Sequence, residues 1–145
     1  MSRARKIFFL FLFLSLISGC KFKNKKELGA LEFCRQLNID YCGKNVVMIP
    51  SMGCGSCISA AIDFLKLHGN SNNHVFVFVE IGDKKRVRFL LNGYMNESKI
   101  HLDTLKLSRK YGLSSEYPVV LKTNHCEIEE VIIADLNNKC IWEAL

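Results

Sequence analysis

Proline is almost absent from this sequence. Pro50 and Pro118 are the only two among 145 residues, and each adjoins an apolar run. No stretch of apolar residues approaches the roughly 20 needed to cross a hydrocarbon core, which excludes a membrane-spanning helix of ordinary length. No internal repeat and no low-complexity tract is present, which excludes a stacked-repeat architecture. The histidines His68, His74, His101 and His125 lack metal-ligand spacing, and none pairs with a nucleophile, so they are assigned to the surface or to strand edges. No acidic residue occurs in positions 1–26. That last absence locates the excess positive charge. The formal net charge is +6, and removing Arg3, Arg5 and Lys6 leaves +3. Lys21, Lys23, Lys25 and Lys26 account for the rest, so Glu27 to Leu145 sums to −1. The basic balance therefore belongs to the N-terminus, and no nucleic-acid surface is expected.

The N-terminus has three parts. Arg3, Arg5 and Lys6 form a basic head, and Ile7 to Leu16 are almost unbroken apolar residues. A run of about ten has the length of a signal-peptide core. Leu16-Ile17-Ser18-Gly19-Cys20 follows, with small residues that suit a protease cleft. This segment resembles the lipobox of bacterial lipoproteins. The resemblance implies diacylglycerol on the Cys20 sulfur, cleavage before Cys20, and a membrane as partner through that lipid. It also implies the bacterial envelope as location, facing the periplasm. The lysines after Cys20 would supplement the anchor by about 1 kcal/mol each beside an anionic leaflet. The division expected is a signal peptide at 1–19, a lipidated tether at 20–27, and one folded domain at 28–145.

Seven cysteines are many for 145 residues. Export places them where disulfides persist. Cys34 and Cys42 are close enough in sequence for a local bridge, and Cys126 and Cys140 for a second, with buried free thiols as the alternative. Sequence alone does not choose among the pairings.

Hydrophobic periodicity outlines the domain. Leu28 to Leu37 fits a short helix, and Asn45 to Ile49 a buried strand ended by Pro50. Apolar residues at Ile58, Ala61, Ile62 and Leu65 mark an amphipathic helix stopped by Gly69. His74 to Ile81 is apolar on both faces, as in a central strand. Lys84 to Leu91 fits helix or strand. A short strand at Lys99–Leu102, a short helix at Thr104–Tyr111, a hairpin from Pro118 to Ala134 and a terminal helix at Asn137–Leu145 complete the outline. Strands alternating with helices predict an α/β domain, a mixed sheet with helices on both faces.

Cys54-Gly55-Ser56-Cys57 falls between the first strand and the amphipathic helix. A cysteine at a helix start sits near unpaired N–H groups and the positive end of the dipole, and both favour thiolate. Cys57, one turn on, is in place to attack a mixed disulfide on Cys54 and release the partner.

Together with the helix and with Tyr117-Pro118-Val119-Val120-Leu121, this motif resembles the thioredoxin-like fold, in particular membrane-tethered thiol-disulfide proteins. The resemblance covers roughly Asn45 to Ala134. It implies a thiol-disulfide oxidoreductase with Cys54 and Cys57 as catalytic pair and envelope proteins bearing thiols or disulfides as partners. It implies Tyr117 and Pro118 lining a substrate groove, with Pro118 preceded by a cis bond. No cofactor or metal is required. Three positions depart from the family pattern. Gly53 replaces the usual Trp, Met48 replaces a buried carboxylate, and no proline lies between the cysteines. Glu80, at the end of the central strand, is read as a solvated strand end, with a stand-in for that carboxylate as the alternative.

Two other readings use the same cysteines. Met52-x-Cys54-x-x-Cys57 also resembles the Cu(I)-binding loop of heavy-metal-associated domains, which have a β-α-β-β-α-β order. Alternatively, the pair is a structural disulfide without turnover. Asn96-Glu97-Ser98 matches a glycosylation sequon and is read as chance.

Overall fold

The computed structural model describes residues 24–91 and 100–145, apart from the side chains of Lys139 and Cys140. The signal segment, Cys20 and the Asn96 sequon lie outside the described residues.

The first helix, α1 (Lys25–Gln36), begins inside the expected tether. Its start has a local cause. The Asn24 side chain accepts from the amides of Lys26 and Glu27, and the Glu27 carboxylate accepts from the Asn24 amide. This reciprocal cap satisfies donors that the first turn leaves free. Ala30, Phe33 and Cys34 turn inward.

The remaining elements are β1 (Asn45–Pro50), α2 (Gly55–His68), β2 (His74–Val79), α3 (Lys84–Leu90), β3 (Ile100–Leu102), α4 (Leu107–Lys110), β4 (Val119–Asn124) and β5 (Glu127–Ile133). A 3-10 segment, Leu136–Glu143, follows in place of the expected terminal helix, with a kink at Asn138. The ambiguous segment at 84–91 is helical, because Asp83 accepts from the Lys85 amide and turns the chain.

The five strands form one mixed sheet in the order β3-β2-β1-β4-β5. β1 pairs in parallel with β2 and β2 with β3, whereas β4 runs antiparallel to both β1 and β5. This is not the β-α-β-β-α-β order of the metal-binding alternative. Successive strand residues face opposite sides of a sheet. Val46 and Met48 accordingly join Phe33 and Leu107 in one core, while Val47 and Ile49 join Ile58, Leu65 and Phe76 in the other. Both faces are covered, as expected. Phe33, Phe76 and Phe78 are wholly buried, each contributing about 1.5–3 kcal/mol.

The disulfide pairing corrects both expected local bridges. Cys42 is bonded to Cys126, 84 residues away. Antiparallel pairing of β1 with β4 brings the chain before Asn45 against the turn after Asn124. Gly43 also donates its amide to the His125 carbonyl there. Cys34 cannot reach Cys42, because α1 turns it into the core, where it is free and fully buried. Burial pushes its thiol up to about 12. Cys126, being paired with Cys42, is not bridged to Cys140.

Asp103, unmarked by any sequence signal, is a fully buried carboxylate. It accepts from the amides of Leu107 and Ser108 and from the Ser108 hydroxyl at 2.7–2.8 Å. Three donors offset the cost of burying a charge, and they fix α4 onto the end of β3.

Candidate functional site

Cys54 and Cys57 follow the C-terminal end of β1, whereas Cys42 and Cys126 lie by its N-terminal end. The loop leading to the first pair is held at both of its ends, at Ser51 and at Cys54. Ser51, 1% exposed, gives its amide to the Val79 carbonyl at 3.0 Å. Its hydroxyl donates to the Glu80 carbonyl at 2.6 Å. Arg86 of α3 donates from Nε to the Ser51 carbonyl at 2.7 Å. Ser51 is thereby fastened to β2 and α3 together.

Gly53 has φ +143°. A Cβ there would fall well inside contact distance of the Glu116 carbonyl. Both the dihedral and the close approach demand glycine. The departure from Trp thus has a steric reason in this chain. The Cys54 amide then donates to the same Glu116 carbonyl at 2.9 Å.

Cys54 caps α2 through its backbone, its carbonyl accepting from the Ile58 amide at 2.9 Å, with no side-chain cap. Its sulfur is 3.5 Å from the Ser56 hydroxyl. The two cysteines form a disulfide. They differ in access: Cys54 is half-buried, and Cys57 is 7% exposed. The asymmetry follows from the helix, since Cys57 shares the inward face with Ile58, Ala61 and Leu65.

Tyr117 is half-buried and Pro118 buried. The bond between them is trans, which corrects the cis expectation. The residue that meets the cysteine loop is Glu116, two positions before Pro118. Tyr117 and Glu116 instead border an open depression of about 600 Å³ that extends over β5. A smaller cavity of about 280 Å³ adjoins Cys57 itself, lined by Ser56, Ala60, Leu136 and Trp142 among others. Glu116 and Trp142 carried no signal in the sequence, because neither lies near the cysteines along the chain.

Met48 is wholly buried in β1, so the position six before Cys54 is apolar core. Glu80 does not serve as a free carboxylate. It accepts from Arg109 at 2.6 Å and from the Ser114 hydroxyl at 2.8 Å. Burial pushes its carboxyl up, but these hydrogen bonds and the Arg109 charge outweigh burial and hold it below the usual range.

Of the histidines, His74 departs from the surface assignment. It is 6% exposed and packs against Phe64, His68 and Phe76. Burial, and then the neighbouring His68, lower its pKa. Among the described residues no group of three or more His, Cys, Asp and Glu side chains is arranged to hold a metal. Nor is any described helix long and apolar enough to cross a membrane. No family model matches the chain, and neither a curated protein nor a solved structure does so.

Proposed function

We propose that the chain is an exported lipoprotein that performs thiol-disulfide exchange through Cys54 and Cys57 on a thioredoxin-like domain. The carrying observation is the unequal burial of the two disulfide-bonded cysteines at the start of α2. An exchange pair needs one sulfur that a partner reaches and a second that the partner does not. Sheet order also supports the reading. The motif follows the central strand β1, which has a parallel neighbour on one side and an antiparallel hairpin on the other.

In the reducing direction, the Cys54 thiolate attacks one sulfur of a partner disulfide. A mixed disulfide forms, and the partner's other sulfur leaves as thiolate. Deprotonated Cys57 then attacks the Cys54 sulfur. The Cys54–Cys57 bond closes, the partner's second sulfur departs, and the partner has gained two electrons. Oxidation of a partner dithiol is the same sequence reversed. The free N–H groups of the first turn of α2 favour the Cys54 thiolate.

Anchoring rests on the lipobox-like segment ending at Cys20. Labelling cells with a fatty acid tags the wild type, and Cys20→Ala loses the tag. Retention of the tag sinks the anchor. The exchange itself is tested by trapping. Cys57→Ser accumulates envelope proteins as mixed disulfides on Cys54, and Cys54→Ser accumulates almost none. Equal trapping by both variants, or by neither, sinks the reading.

A further inference from the structure

A surface beside the disulfide is left uncovered. Met52, two residues before Cys54, is 56% exposed, and Phe89 of α3 is 77% exposed. They border a shared depression of about 480 Å³ with Gly82, Asp83, Lys85 and Arg86. Met52 lies over Gly82, its terminal methyl 3.6 Å from where a Cβ on that glycine would sit. Large apolar side chains left exposed together and rimmed by charge mark an interaction surface.

The charge around this surface is mostly positive: Lys85 and Arg86 border the depression, Lys84 and Arg88 lie on the same helix, and Asp83 is the acid among the lining residues. Helix α3 reads Lys84-Lys85-Arg86-Val87-Arg88-Phe89-Leu90, and Val87 is its buried contact with the core. Lys84, Lys85 and Arg88 are exposed, and among the described residues none forms an ion pair. Asp83 is the acid at hand, and its carboxylate is engaged by the Lys85 amide. Arg86 donates from Nε to the Ser51 carbonyl, which ties α3 to the cysteine loop and leaves its charge at the depression.

We propose that the Met52–Phe89 strip and the cations of α3 dock the polypeptide that exchanges with Cys54, through a segment combining apolar side chains with Asp or Glu. This rests on the thiol-disulfide reading. A polypeptide is favoured over a lipid surface because the strip is two residues from the reacting sulfur. A segment bound there delivers a covalently attached cysteine to Cys54. Opposite charge across such a contact speeds encounter and rejects basic partners.

The test separates docking from sulfur chemistry. Two labelled peptides carry a central serine in place of cysteine, one flanked by alternating Glu and Leu, the other by Lys and Leu. Binding to the full chain in non-ionic detergent is followed by fluorescence anisotropy. The Glu peptide binds about tenfold tighter at low salt, and added salt narrows the gap. The triple variant Lys84→Glu, Lys85→Glu, Arg88→Glu reverses the preference. Phe89→Ser weakens the Glu peptide several-fold, with circular dichroism confirming that it remains folded. Equal binding of both peptides, or a preference that survives the triple variant, overturns the proposal. So does a Cys20→Ala chain that uses these cations on phosphatidylglycerol vesicles while showing no peptide preference. Reaction of reduced chain with a small aromatic disulfide scores exchange separately. Docking without exchange spares this surface and sinks the thiol reading, and exchange without docking does the reverse.

Discussion

The Cys54 amide donates to the Glu116 carbonyl at 2.9 Å. This bond joins the cysteine loop to the segment that enters β4, although 62 positions separate the two residues. It leaves Gly53 no room for a side chain.

Gly53→Ala therefore destabilises the domain by about 2 kcal/mol or more, combining a disfavoured φ with a clash against backbone. Gly55→Ala, where a Cβ meets nothing within 4 Å, stays within about 0.5 kcal/mol of wild type. Urea unfolding of the oxidised proteins compares them. Equal stability of the two variants would mean that Glu116 does not hold the loop.

The cross-link between Cys42 and Cys126 closes a long loop. Restricting the unfolded chain over a separation of 84 residues stabilises by about 4–5 kcal/mol in the chain-entropy account. Cys126→Ser loses most of that in urea unfolding. Peptide mapping without reductant recovers Cys42 joined to Cys126. Cys34, buried and with its thiol pushed up to about 12, reacts with iodoacetamide only after unfolding. Rapid alkylation of Cys34 in the folded protein would contradict its burial, and a recovered Cys34–Cys42 peptide would contradict the pairing.

Glu80 gives the domain an acid-sensitive contact. Its carboxyl is held below the ordinary 4.5, so its charged form is favoured in the folded state. The stabilisation is full above 4.5 and is lost as pH falls below it through the folded value. Arg109 is largely exposed, so solvent screens the pair, and Glu80→Gln costs about 1 kcal/mol at neutral pH. That difference shrinks toward zero in acid. A deficit independent of pH would place the effect in packing.

Much of the fold was legible because its signals are local. His74 to Val79 is apolar on both faces, and the structure puts it in the sheet interior. The apolar positions of α2 repeat at helical spacing. The start of α1 was obscured by lysines, although the Asn24 and Glu27 spacing of its cap is visible in hindsight. The pairing of Cys42 with Cys126 was not legible, because it depends on which strands become neighbours. The same holds for Glu116, Trp142 and the bonds of Arg86 to Ser51. Each joins segments distant in sequence, and no periodicity encodes such contacts. The cysteine pair was legible as a motif, but its unequal burial required the helix to be docked.

The central claim is that Cys54 is the attacking sulfur and Cys57 the resolving one. The most direct measurement is the alkylation rate of each thiol in reduced protein across pH, read by peptide mass analysis. Cys54 should react first, with an apparent pKa below the unperturbed value of about 8.5, and Cys57 should stay protected until the domain unfolds. Equal rates at the two sulfurs, with Cys54 titrating like a model thiol, would contradict the account and leave the pair a structural cross-link.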